Sequence, residues 1–119
     1  MHERGDVWLA NLNRRHGTEP GKRRPVLIVQ AQALIDSGHP STLVVPLTTN
    51  LIDGAEPLRI RVPAQGALRR DSDLLIDQLR AIDNKRIAEG PLVTLDDSAI
   101  ERVEAAIREV LDLPPQSAR

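Results

Sequence analysis

"GTEPGKRRPVLIVQ", residues 17–30, decides how the rest of the chain is read. Glycine, proline and charge fill its first half. Pro25 then opens an unbroken apolar run from Val26 to Val29. A short, β-branched apolar run of this kind predicts a strand over 25–30 that is buried on both faces. Pro25 stands at its first position, where a missing N–H costs little. Lys22, Arg23 and Arg24 press directly against that start. Either they decorate a solvated loop, or the strand holds one of them rigidly for a purpose.

Outward from this strand, "DVWLANL" (6–12) reads as an earlier strand, and "NRRHGTEPGKRR" (13–24) as a long polar loop broken by Gly17, Pro20 and Gly21. "AQALIDSGHP" (31–40) suits a helical turn plus loop. "STLVVPL" (41–47) is a second buried strand, closed by the polar "TTN" (48–50). After a loop, "LRIRV" (58–62) alternates strictly, which sends Leu58, Ile60 and Val62 inward and Arg59 and Arg61 outward. "SDLLIDQLRAID" (72–83) predicts a strand pair or one bent strand, and "GPLVTL" (90–95) a last short one.

The convincing helix is "DDSAIERVEAAIREVLDL" (96–113). Ile100, Val103, Ile107, Val110 and Leu111 form one stripe of a 3.6-residue period. Ser98 and Glu101 suit a capping box, and Asp96 and Asp97 suit the positive end of the helix dipole. Pro114 and Pro115 stop it. The expectation is one domain over 1–113 with a frayed tail over 114–119. Five to seven short strands joined by hairpin-length connections make the sheet antiparallel and strongly curled. A mainly β fold follows: a small curled barrel with a packed C-terminal helix.

Composition excludes several functions. The 119 residues contain no cysteine, so disulfide frameworks, thiolate metal sites and cysteine nucleophiles are ruled out. Trp8 is the one residue among Phe, Trp and Tyr, so the aromatic platforms on which single strands commonly stack cannot be built in their usual form. No apolar run has the length of a membrane span, and "MHERGDVW" carries no apolar signal core, which predicts a cytoplasmic protein with no membrane partner. Net charge is −1, yet residues 1–24 hold six bases against three acids. That local surplus suits phosphate or an acidic protein segment.

Four motifs in order then carry a resemblance over about residues 4–113: "RGDVWLANL" (4–12), "GKRRPVLIVQ" (21–30), "VVPLTTN" (44–50) and "DSDLLIDQLRAIDNKRI" (71–87). With the terminal helix they make the chain resemble the MazF/PemK family of toxin endoribonucleases. The resemblance implies an SH3-like barrel of the PemK/CcdB type and a homodimer. It implies cleavage of single-stranded RNA at short motifs without metal or other cofactor, leaving 2′,3′-cyclic phosphate and 5′-OH ends. It also implies a MazE-like antitoxin whose disordered acidic C-terminal segment covers the RNA groove.

Carried onto this sequence, the family's catalytic arginine is Arg24 and its threonine is Thr48. The chemistry suits them: an arginine fork stabilises the charge that builds on phosphoryl oxygens, and a hydroxyl donates to the same group or orients the attacking 2′-OH. Glu19 is the first candidate for the general base. Arg14, Arg15, Thr18, Lys22, Arg23, Asp77 and Gln78 are the expected RNA contacts. His16 precedes Gly17, whereas members with a useful histidine carry it where Thr18 stands here; others carry an arginine where this chain has Leu75. The arginine–threonine variant therefore fits better than one built on histidine, arginine and aspartate.

Other residues have plainer readings. Asp71, Asp73 and Asp77 read as turn caps and surface charges rather than metal ligands, and His2, His16 and His39 as solvated. Trp8 reads as barrel or dimer core. Arg59, Arg61, Arg69 and Arg70 read as lining a rim or solvating the sheet, with contact to RNA backbone as the alternative for any of them. Two rivals remain: a CcdB-like gyrase poison, against which the ending Gln-Ser-Ala-Arg counts because that family depends on Trp-Gly-Ile, and a non-catalytic RNA- or protein-binding barrel.

Overall fold

The computed structural model describes residues 1–12 and 23–115. Among these, seven strands and two helices follow in chain order: β1 (Asp6–Asn11), β2 (Arg23–Ile28), α1 (Gln32–Asp36), β3 (Ser41–Thr48), β4 (Arg59–Val62), β5 (Ser72–Leu75), β6 (Arg80–Asp83), β7 (Ile87–Thr94) and α2 (Asp97–Val110). One 3₁₀ turn, Ile76–Gln78, joins β5 to β6, and a second, Asn84–Arg86, joins β6 to β7.

All of these strands pair antiparallel, in the order β4-β5-β3-β2-β1-β7, with β6 continuing beside β3 beyond β5. The outer members, β4 and β7, form no ladder with each other, so the sheet is curled rather than closed. The turn after β4 nevertheless reaches across: the Ala67 amide donates to the Leu92 carbonyl at 2.9 Å. A β-bulge in the β1–β7 ladder adds local twist.

Two apolar clusters explain the unbroken run in β2. Leu27 joins Val7, Val45, Leu47, Ile60, Leu74, Ile76, Val103 and Ala106 on the face covered by α2. Val26 and Ile28 join Ala10, Leu12, Ile35, Val44 and Ile82 on the other, where Trp8 packs against them. A strand with a core on each side has no polar face, hence no alternation. Gly90 follows from the same packing: a Cβ there would lie 2.6 Å from Cδ2 of the Trp8 indole.

Several expectations need correction. β2 starts at Arg23, two residues early, because β1 supplies partners in Asn11↔Arg23 and Ala10↔Arg24; Pro25 therefore lies inside the strand. Leu58 is exposed, since β4 begins only at Arg59, and Leu111 is exposed because α2 ends at Val110. The helix cap is Asp96, whose carboxylate accepts the Ala99 amide at 2.8 Å; Ser98 already lies in the first turn. His2 is buried: its Nε2 lies 3.0 Å from the Thr42 hydroxyl, which donates onward to Asn84. Burial pushes its pKa down.

Candidate active site

β2 and β3 are paired through Ile28↔Val44, Leu27↔Val45 and Val26↔Pro46. Two residues further along each strand in that same register come Arg24 and Thr48. Strand alternation sends both side chains to the face of Val26 and Val44. Thr48 in turn stands opposite Asp73 of β5, and Asp73 opposite Arg61 of β4. Thr48, Asp73 and Arg61 thus form one transverse row across β3, β5 and β4, and continuing the β2–β3 register beyond Val26↔Pro46 extends it to Arg24.

The two ends of the row differ in electrostatics. Arg24 is half-buried, and among the described residues no carboxylate or carbonyl engages its guanidinium. Its neighbour Arg23 is exposed and reaches Glu89 of β7 at 3.3 Å. The Thr48 hydroxyl accepts the Asn50 amide at 3.1 Å, which leaves its own proton free to donate. A fork of N–H donors with no counter-charge beside a free hydroxyl proton is an anion-binding arrangement suited to phosphate.

At the far end Asp73 is 1% exposed. Its carboxylate accepts the Ile52 amide at 2.9 Å, Arg59 Nη1 at 3.2 Å and Arg61 Nε. Burial alone would raise its pKa, but the hydrogen bonds from Arg61, Ile52 and Arg59 outweigh it and hold the carboxyl below its ordinary value. The hydrogen bonds to Asp73 and Asp53 likewise push the Arg61 pKa up. Arg59 and Arg61 are therefore not a free rim, and Asp73 is not a surface charge. Sequence inspection missed this group because its members lie 12, 14 and 21 residues from Asp73. The available signal was two arginines on one face of "LRIRV" and an aspartate, Asp73, on the same face of the next strand.

Of the expected site residues, Arg24 and Thr48 lie at the same end of the neighbouring strands β2 and β3, each two residues beyond the pair Val26↔Pro46. Asp77 and Gln78 lie off the row, exposed on the 3₁₀ turn after β5. Glu19, Arg14, Arg15, Thr18 and Lys22 lie outside the described residues, as does His16. The segment that carries them departs from and returns to the Asn11↔Arg23 pair, next to Arg24. Asp71 does act as a turn cap, accepting the Ala64 amide at 2.8 Å. Among the described residues no three His, Asp or Glu side chains converge as a metal-binding group.

Comparison with known proteins agrees with this fold. The family model for the "PemK-like, MazF-like toxin of type II toxin-antitoxin system" matches residues 3–111. The chain is 32% identical over 115 residues to Endoribonuclease EndoA of Bacillus subtilis (strain 168), covering 93% of this chain and 95% of that protein. Among solved structures, Mycobacterium tuberculosis toxin MazF-mt6 superposes with a TM-score of 0.75 at 23% identity, over 92% of this chain and 98% of that one. MazE-MazF (Form-III) from Deinococcus radiodurans gives 0.77 at 18% identity, over 95% and 98%. With the family model matching most of the chain and a relative at 32% identity over nearly its full length, the chain belongs to the PemK-like, MazF-like toxins of type II toxin–antitoxin systems.

Proposed function

We propose that Arg24 and Thr48 are the catalytic centre of this toxin, and that it cuts single-stranded RNA without a metal. The chain is an endoribonuclease, in keeping with its resemblance to EndoA. The observation that carries the assignment is the half-buried guanidinium of Arg24, without a counter-ion among the described residues, in register with Thr48.

In the reaction the 2′-OH next to the scissile phosphate gives up its proton to a general base, for which Glu19 is the candidate. The 2′-oxygen attacks phosphorus, and the P–O5′ bond breaks. A 2′,3′-cyclic phosphate remains on one fragment, and the departing oxygen takes up a proton to become a 5′-OH. Negative charge on the phosphoryl oxygens grows in the transition state, where Arg24 and the Thr48 proton stabilise it. Lys22, Arg23, Arg14 and Arg15 attract the backbone, with Thr18, Asp77 and Gln78 as further contacts.

The partners follow from the same surface. Solved relatives include MazE-MazF from Deinococcus radiodurans and an endoribonuclease in complex with its cognate antitoxin from a mycobacterial species. A cognate antitoxin holds this toxin, its acidic segment competing with RNA for the Arg24 end of the sheet. Pairing of two subunits joins two such ends in one groove. No helix among the described residues is long and apolar enough to cross a membrane. A toxin acting on cellular RNA would work in the cytoplasm, which is the location proposed here.

The test is digestion of a long mixed-sequence RNA in EDTA by wild type, Arg24→Ala and Thr48→Ala. Cuts at a recurring short motif with 5′-OH ends are expected, with rates about 10²–10³-fold lower in each variant. Cutting that survives Arg24→Ala would overturn the mechanism. Intact RNA under wild type would overturn the activity.

A further inference from the structure

Between β3 and β4 the chain crosses residues 49–58, directly beyond Thr48. This crossing is not held by burial: Leu51, Ile52 and Leu58 are 40%, 50% and 48% exposed. It is held by hydrogen bonds that converge on Asp73. The Ile52 amide donates to that carboxylate directly. Arg59 Nη1 donates both to Asp73 and to the Asn50 carbonyl, the latter at 2.9 Å. Arg61 donates through Nε to Asp73 and through Nη2 to Asp53 at 2.8 Å. Asn50, fixed at its carbonyl by Arg59, donates its own amide to Thr48 Oγ1.

A continuous path therefore runs Asp73–Arg59–Asn50–Thr48. Its consequence is orientation. A threonine hydroxyl otherwise rotates to suit any neighbour. With one lone pair occupied by the Asn50 amide, the hydroxyl's free proton and remaining lone pair are confined to the other directions. A carboxylate buried as Asp73 is costs stability unless fully paired, so its presence in β5 calls for a role beyond packing.

We propose that Asp73, acting through Arg59 and Asn50, is a positioning residue for Thr48, and that Arg61 completes the latch by holding Asp53. The proposal rests on the nuclease reading of Thr48 given above. The latch sets the direction of the Thr48 hydroxyl and leaves RNA binding to the Arg24 end. Its loss lowers kcat and leaves KM little changed.

Two variants test it with a short RNA carrying the cut motif. Asp73→Asn removes the charge at the centre. Arg59→Met removes the Asn50 link while leaving Arg61 on Asp73, and it carries the test where Asp73→Asn does not fold. Each is expected to lower kcat about tenfold, the size of one misoriented hydrogen bond. In a Thr48→Ala background neither lowers kcat further, because the group they orient is gone. Equal kcat losses with and without Thr48 would overturn the proposal, as would a rise in KM alone.

Amide hydrogen exchange reads the latch without RNA. Exchange at Asn50 is expected to quicken tenfold or more in both variants, while the amide of Val45 in mid-β3 stays protected. Unchanged exchange at Asn50 would overturn the latch. Quickened exchange alongside a wild type that cuts no RNA would overturn the nuclease reading instead, and the latch would stand.

Discussion

Arg24 and Arg61 sit at opposite ends of one row, both half-buried, and their surroundings could hardly differ more. Arg61 engages two carboxylates, Asp73 and Asp53; Arg24 engages none among the described residues. A guanidinium that already holds acids has little left for a ligand and serves the fold. One whose donors are empty is available to a substrate, the role proposed for Arg24. Identical side chains one short row apart are thus divided by their counter-ions into a strut and a tool.

The sharpest way to break this comparison is to exchange the consequences. Arg24→Ala lowers the cleavage rate by about 10²–10³-fold and leaves the melting temperature unchanged or slightly higher. Arg59→Met, at the paired end, lowers the melting temperature by several degrees with only about a tenfold loss of rate. Cleavage kinetics beside thermal melts on both proteins decide it. A melting temperature that falls in Arg24→Ala as far as in Arg59→Met would erase the distinction.

Acid sharpens it next. The folded-state pKa of Asp73 lies below its unfolded value, so its contribution is fully present above about pH 4 to 5 and is lost as pH falls through the folded value. The stability gap between wild type and Asp73→Asn should therefore be widest near neutrality and narrow steadily below about pH 4. Denaturant melts at stepped pH measure the gap. A gap that widened in acid would show that Asp73 is not held as its carboxylate.

Salt gives the smallest effect. Removing one cationic partner of a phosphate in single-stranded RNA flattens the slope of log affinity against log salt by about 0.7. Lys22→Ala and Arg23→Ala should each do so, whereas Arg61→Ala should not. Glu89→Ala, which frees Arg23 from its partner in β7, should steepen the slope. Titrations of RNA with the inactive Arg24→Ala protein at several salt concentrations would show a slope indifferent to Lys22 if that residue never meets phosphate.

The β architecture was legible because burial writes itself into runs of apolar residues. Val26 to Ile28, Val44 to Leu47 and the stripe from Ile100 to Val110 each occupy the place their pattern predicts. Arg24 and Thr48 were legible as a pair only through the motif around each; both stand at the same end of neighbouring strands. The Asp73 latch was not legible, because cross-strand pairing joins residues far apart in sequence and an aspartate in a strand carries no local sign of its partners. Element ends were the other weak point. Whether Leu58 faces in depends on one residue of strand length, and the choice of Asp96 over Ser98 as cap depends on where the first helical hydrogen bond closes.

Trp8 has a use beyond packing. It lies in β1 two residues before Ala10, the strand partner of Arg24, on the same face of the sheet, with its indole N–H on Asp6 and its ring against Gly90. With no tyrosine in the chain, all indole emission comes from this position. The protein thereby carries an optical reporter near the Arg24 end of the sheet, the end proposed to meet RNA and antitoxin. Their arrival can be followed in unlabelled protein, with no second fluorophore to blur the signal.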